Sequence, residues 1–287
     1  MGSNGKGGSS GPKNPVLVIP YYPNDGGHRP LASSSPFWKC DAIKLNGIPY
    51  AGELLEVGAQ IEISVDVVNR GAQIPPPLTT SLFYWANPTT NFTSSTCTFI
   101  GASAPAPLST SQITPLAPVT WSVPAGTPKH ICLLAEVTTV LDPAQQTYNA
   151  AADRHWGQQN VYVMTVSAGG EIRVGFDMAN GGTTASRFHL EVTHILVNQR
   201  ALRNIVPKDT VLGEAEEITL TRTLSKEVGG PHSLHAHLAA NEVLSVELRA
   251  LVPRDATPGS TIVLQVAQFE HQKNQAVGGL GIVVHVK

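Results

Sequence analysis

Residues 59–71 read A-Q-I-E-I-S-V-D-V-V-N-R-G, and residues 170–182 read G-E-I-R-V-G-F-D-M-A-N-G-G. Each is an alternating run that ends in Asn-x-Gly and leads through a bend into another strand-like run. In the first, Ile61, Ile63, Val65 and Val67 point one way and Glu62, Ser64 and Asp66 the other. That period of two is the mark of a half-buried strand. Asn69 and Asn180 lie 111 residues apart, close to the length of one immunoglobulin-like sandwich. Asn and Gly tolerate the positive φ that a tight turn or bulge at a strand end demands. The two stretches predict two copies of one β domain.

The same pattern continues outward. Leu244, Val246, Leu248 and Ala250 alternate with Ser245, Glu247 and Arg249, and Leu280, Ile282, Val284 and Val286 repeat the period at the C-terminus. Further strands are predicted over 38–45, 81–86, 96–100, 119–123, 130–138, 161–166, 173–178, 187–196, 217–224, 233–238 and 261–269. Turn sequences such as P-A-G-T-P, S-A-G-G and D-A-T-P-G-S separate them. No segment carries a sustained 3.6-residue apolar period, and 204–217 holds a helical turn at most. Charged residues are 14% of the 287, well under the usual quarter. Exposed helix faces are normally written in such residues, so strands and turns are favoured.

Both copies carry a late Pro/Gly turn ahead of an apolar strand. The first has Asn69 and Gly71, then Pro124-Ala125-Gly126 before H-I-C-L-L-A-E-V. The second has Asn180 and Gly182, then V-P-R-D-A-T-P-G-S before T-I-V-L-Q-V. This arrangement resembles the CARDB-like branch of bacterial immunoglobulin-like domains over most of 36–287. The resemblance implies an all-β chain of two antiparallel immunoglobulin-like β-sandwich domains in tandem, at 36–167 and 168–287, behind a flexible N-terminal arm at 1–35. Within that arm 1–14 has linker composition, while V-L-V-I-P-Y-Y-P carries enough apolar surface to dock on a domain or a neighbouring subunit. In such domains the last two strands form a hairpin, here 130–138 with 161–166.

D-R-H-W-G-Q-Q-N, at 153–160, then ends the long loop between those strands. Trp156 is expected to cover the open edge of the core, Gln159 and Asn160 to bond the loop backbone, and Asp153 to pair with Arg154 or His155. The alternative is a recognition tip built from Asp153, Arg154, His155 and Trp156, since sandwiches bind through end loops on a rigid scaffold. A Ser/His/Asp site needs a nucleophile placed by geometry, and no G-x-S-x-G elbow is present.

P-H-S-L-H-A-H-L offers a metal alternative. On a strand His235 and His237 share a face with Cα atoms roughly 6.5–7 Å apart, and His189 or His194 on a neighbouring strand would complete the set. Cys40, Cys97 and Cys132 cannot all pair and sit in strand-like runs, where they read as small buried hydrophobes. Asn91-Phe92-Thr93 is a glycosylation sequon. The aromatic clusters Tyr21-Tyr22, Phe37-Trp38 and Phe83-Tyr84-Trp85 read as core, or as surfaces for stacking on sugars. No phosphate loop or dinucleotide fingerprint implies a cofactor.

A net charge of −2 supplies no basic field for nucleic acid. No run approaches eighteen apolar residues, so no membrane span is expected. The N-terminus lacks the apolar core of a secretory signal, which points to the cytoplasm or to export without a classical signal peptide. Together these readings favour a non-enzymatic structural or interaction protein, an accessory piece of a larger assembly with protein partners or copies of itself. The alternative is a carbohydrate- or metal-binding sandwich acting through end loops.

Overall fold

A computed structural model describes residues 14–31, 36–52, 54–71, 77–196, 202–208, 210–223, 232–271 and 275–287. Every regular element bounded within them is a strand, β1 to β20. No helix among the described residues is long and apolar enough to cross a membrane. The strands build two immunoglobulin-like sandwiches in tandem.

In the first sandwich, one sheet is centred on β4 (Gln60–Asn69), flanked by β1 (Leu17–Val18) and by β2 (Ile43–Leu45), which pairs on to β3 (Ile48–Pro49). β8 (Ile113–Pro115) and β9 (Val119–Ser122) also pair with β4. The facing sheet runs β11 (Trp156–Gln159), β10 (Cys132–Thr138), β5 (Leu78–Ala86), β6 (Cys97–Ala102), with β7 (Ala106–Pro107) on β5. Ile61, Ile63, Val65 and Val67 bury against Phe83, Leu133, Ala135 and Val137 between the sheets. The alternation of 59–71 thus reports its inner face. C-L-L-A-E-V does not alternate because β10 is covered on both sides: Cys132 and Leu134 pack outward into a second cluster with Ala86, Phe92, Ala150 and Trp156.

The second sandwich faces β13 (Glu171–Ala179), β18 (Val243–Leu251) and β16 (Glu216–Arg222) against a larger sheet. That sheet runs β12 (Val161–Val166), β20 (Gln275–Val286), β19 (Thr261–Glu270), β14 (Ser186–His194), β17 (Ser233–Leu238), with β15 (Leu212–Gly213) on β19. Ile172, Val174, Phe176 and Met178 meet Leu190, Leu264 and Ile282 in its core. Most pairings are antiparallel; β12 with β20 and β15 with β19 are parallel.

The sequence repeat extends into pairing. β4 and β13 each lead across to the opposite sheet, β10 pairs β5 as β19 pairs β14, and β11 pairs β10 as β20 pairs β19. The two late turns also match: Gly126 and Gly259 have φ of +85° and +84° with open space around them, so the turn conformation itself calls for glycine. The Asn-x-Gly corners work differently from the sequence expectation, since none of Asn69, Gly71, Asn180 and Gly182 is among the residues with positive φ. The Asn side chains close the corners instead, and Gly71 is needed because a Cβ there would run into the Asn14 carbonyl.

Three expectations are corrected. The hairpin partner of β10 is β11 (Leu133↔Gln159 to Glu136↔Trp156), within the presumed loop, while β12 crosses to β20 of the second sandwich. By pairing, the second domain therefore begins near Val161 and not at 168. Of the arm expected over 1–35, residues 1–13 and 32–35 lie outside the described residues. The remainder is part of the first sandwich: β1 pairs β4, and Leu17 and Ile19 are fully buried. Four apolar residues in a row gain more by leaving water than by serving as a free arm.

The two sandwiches are joined along a close-packed seam. Trp38 packs with Val161, Val263 and Val283, and Phe37 with Ala151 and Ala267. The run V-G-G-L-G-I at 277–282 makes this approach possible. A Cβ on Gly281 would enter the Trp38 ring, and one on Gly278 would collide with the Thr90 carbonyl. Polar groups in the seam are paired: Trp38 Nε1 donates to Gln265 Oε1 at 2.9 Å, Gln158 Nε2 to the Gly279 carbonyl at 2.7 Å, and Thr90 N to the Asp177 carbonyl at 2.8 Å.

Candidate functional site

The D-R-H-W stretch enters β11 from a folded loop. Asn149 Oδ1 accepts the N–H groups of Ala151 and Ala152 at 2.9 and 3.2 Å, turning the chain so that Asp153 faces inward. One Asp153 oxygen accepts from His155 N at 3.0 Å and from His155 Nδ1 at 2.7 Å, and the other from Gln145 N at 3.1 Å. On the far side of the imidazole, His155 Nε2 lies 3.1 Å from Asp142 Oδ2. That contact falls outside good hydrogen-bond geometry and acts as an electrostatic one. Asp142 also binds Arg154 Nη2 at 2.6 Å and accepts from the backbone N–H of Leu17 at 2.7 Å.

Burial disfavours the charged form of all three titrating groups, yet their mutual contacts outweigh it. His155 is held above its ordinary pKa by Asp142 and Asp153, and both carboxylates are held below theirs, chiefly by His155. The imidazole has a carboxylate at each ring nitrogen, Asp153 at Nδ1 and Asp142 at Nε2. This group clasps β1, the 139–153 loop and β11 together.

Trp156 is fully buried. Its Nε1 donates to the Gln145 carbonyl at 2.9 Å, and its ring lies 4.8 Å from Tyr148 and 5.8 Å from Tyr84. The Trp covers the outer face of the β10–β5 sheet, not the open edge of the inner core. Gln159 accepts from Cys40 N at 2.6 Å, and Asn160 Nδ2 donates to the carbonyls of Thr89 and Gly279 at 2.7 and 2.9 Å. They do bond backbone, but that of distant segments. The recognition-tip alternative is corrected: Asp153, His155 and Trp156 are buried and only Arg154 keeps part of its side chain at the surface.

The histidine candidates do not gather around a metal. His189 and His235 are cross-strand neighbours whose rings stack at 5.5 Å and 27°, so their nitrogens lie side by side rather than converging. Phe269 stacks on the other face of His189 at 5.1 Å. His237 sits opposite Arg187, and His194 Nε2 accepts from Ala215 N at 2.9 Å. Among the described residues no three ligand side chains form a metal-binding group. Instead His235 and His237 line a cleft of about 320 Å3 with Arg187, Arg222 and His271. Sequence reasoning missed those three because each comes from a different segment: Arg187 reaches the histidines by the pairing of β14 with β17, His271 lies beyond the β19 edge of β14, and Arg222 comes from β16 of the facing sheet.

Other singled-out residues are structural. Cys40 and Cys132 are buried free thiols, and burial pushes the Cys40 thiol up to about 12. Asn91 of the sequon is buried in the seam, donating to the Ala179 carbonyl at 3.2 Å, which closes it to a glycosyltransferase. Phe37, Trp38 and Phe83 are core, and Trp85 lies 6.4 Å from Trp121. A different feature is exposed. β10 ends in a two-residue turn whose apex is Val140-Leu141, bracketed by Thr139 and Asp142. Val140 is 95% exposed, Leu141 54%, and Leu78, whose carbonyl accepts from Thr139 Oγ1, 65%.

No family model matches the chain, and no curated protein matches it. Among solved structures it is similar to the CupB6 tip adhesin from Pseudomonas aeruginosa at 9% identity, covering 86% of this chain and 99% of that one with a TM-score of 0.26. It is also similar to the collagen adhesin from S. aureus at 7% identity, 85% and 91% coverage and a TM-score of 0.24. A family 123 glycoside hydrolase from Clostridium perfringens aligns at 11% identity over 45% of this chain, with a TM-score of 0.32; the match spans 23% of the hydrolase. Similarities this loose carry nothing about what the chain does.

Proposed function

We propose that the protein is a tandem CARDB-like, non-enzymatic interaction module, an accessory component of a larger assembly. The observation that carries this reading is the apolar end of the first sandwich, Leu78, Val140 and Leu141. Turn apexes are normally Gly, Asn, Asp or Ser. Here a valine and a leucine stand in water on a turn fixed from behind by the Asp142–His155–Arg154 clasp. Exposed apolar groups on a rigid mount suit a partner that removes them from water. The imidazole and carboxylates of the clasp hold that mount. The test is the size of the native particle in extract, followed by gel filtration of tagged chain. Wild type is expected in a complex, and Val140→Asp/Leu141→Asp as a monomer with unchanged melting. Wild type eluting as a monomer overturns the proposal.

A further inference from the structure

Residues 72–128 contain no Asp, Glu, Lys, Arg or His. At the chain's own 14% of charged residues, a stretch of 57 would carry about eight. Thr90 and Asn91 of it enter the seam, and the rest builds β5 to β9 on one flank of the first sandwich. That flank ends in an open strand edge. β6 pairs with β5 on one side, and among the described residues no further backbone partner meets Thr98–Ala102 on the other. β9 approaches it through the Val119 side chain beside Gly101. Other edges are closed or guarded. β11, across the same sheet, is met by the Lys39↔Gln159 bridge, β13 carries Glu171 and Arg173, and on β17 the His235 carbonyl accepts from Arg222 Nη2 at 2.7 Å. β6 reads C-T-F-I-G-A. It slips by one residue against β5 at Ile100, but it has none of the charges or prolines that keep an exposed edge single.

The exposed side chains continue one surface. Thr98 and Phe99 face water, and the Phe99 ring meets Tyr84 edge to face at 5.5 Å. The chain runs on from β6 into β7, where Pro107 pairs with Leu78, so the edge ends at the tip formed by Leu78, Val140 and Leu141. A two-fold axis sets a patch against its own copy, so charges on it meet their like and repel. A flank without charges carries no such repulsion, and the cores of protein interfaces are depleted in charge. Antiparallel pairing of two β6 strands about the axis also closes both edges at once and leaves none to recruit a third chain. We infer that this flank is a self-association surface, on which two copies of the chain join edge to edge through β6 as a closed dimer. The inference rests on the reading of the tip as an interaction surface and names its occupant, a second copy.

Light scattering on the purified full chain, over a range of concentrations, tests the inference. Wild type is expected at twice the chain mass. Thr98→Lys/Phe99→Lys and Thr98→Glu/Phe99→Glu, both at exposed positions, should each show the single chain mass and still melt cooperatively. An equal mixture of the two variants should return to twice the mass, because opposite charges then meet across the axis where like charges met before. A purified wild type that stays monomeric overturns this inference alone, since a larger particle in extract would still support the interaction module. Dimers that persist in both variants, or a mixture that stays monomeric, overturn it as well.

Discussion

Asn69 and Asn180 make the same hydrogen bond: the side-chain Oδ1 of each accepts the backbone N–H two residues on, from Gly71 and Gly182, at 2.9 Å in both sandwiches. Their amide nitrogens differ. Asn180 Nδ2 donates to the carbonyls of Thr184, Leu238 and Ala239 at 2.9–3.1 Å, whereas among the described residues Asn69 Nδ2 reaches only Leu108 at 3.5 Å and its Oδ1 also takes Val16 N at 3.0 Å.

That difference predicts the effect of replacing each amide by a carboxylate. Asp keeps the acceptor and loses the donor. Asn180→Asp should cost about 2–3 kcal/mol through carbonyls left without a donor, and Asn69→Asp clearly less. Chemical denaturation of the two variants beside wild type measures the order. Equal losses would mean the donor side of Asn180 contributes nothing.

Trp156→Ala should destabilise the chain by about 3–5 kcal/mol, as for a fully buried large aromatic. The His155 imidazole is buried between Asp142 and Asp153. Its loss leaves Asp142 and Asp153 facing one another across a vacated site, and about 2–3 kcal/mol is expected. An unshifted melting temperature for either variant contradicts the clasp.

The clasp also sets a pH window. The folded-state pKa of His155 is raised, so its contribution is complete below about pH 6.5 and fades as pH rises through the folded value. Asp142 and Asp153 are lowered, so theirs is complete above about pH 4 and is lost as pH falls through the folded values. The stability advantage of wild type over His155→Gln should be greatest between those limits and shrink on the alkaline side. Urea midpoints from pH 5 to 9 report it, and a constant difference would show that His155 is neutral in the fold.

Deleting 1–13 leaves every contact described for the first sandwich in place and should not move the melt. Deleting 1–31 removes Leu17 and Ile19, each stabilising by roughly 1.5–3 kcal/mol through burial. It also removes the N–H that Asp142 accepts and the Asp25 carbonyl that accepts from Arg70 Nε at 2.9 Å. A large fall in melting temperature of the monomer is expected. An intact melt would return this segment to the role of a free assembly arm.

The seam predicts a graded glycine series. Gly278→Ala meets backbone, which cannot step aside, and should be the most damaging. Gly281→Ala meets the Trp38 ring and should cost about 1–3 kcal/mol by overpacking. Gly175→Ala on β13, with open space around it, should be neutral. Thermal melts that rank the three in any other order contradict the described approach of the sandwiches.

Alternation along 59–71 and 170–182 was enough to determine the class of fold, the repeat and which side chains face each core, because period two records a single solvent boundary. It was silent where burial has two sides: β10 reads as an unbroken apolar run, and W-G-Q-Q, with a glycine and two glutamines, carries no strand signal. Gly157 is needed because Ile19 and Cys40 approach it, and the glutamines serve segments far away in sequence. The cationic cleft was half legible, as H-A-H on a strand. Its charge was not, since Arg187, Arg222 and His271 become neighbours only through strand pairing and the packing of two sheets. Local sequence thus determined local geometry and facing; contacts between separate segments, which decided the seam, the clasp and the cleft, depend on which surfaces close packing brings together, and that was settled only by the tertiary structure.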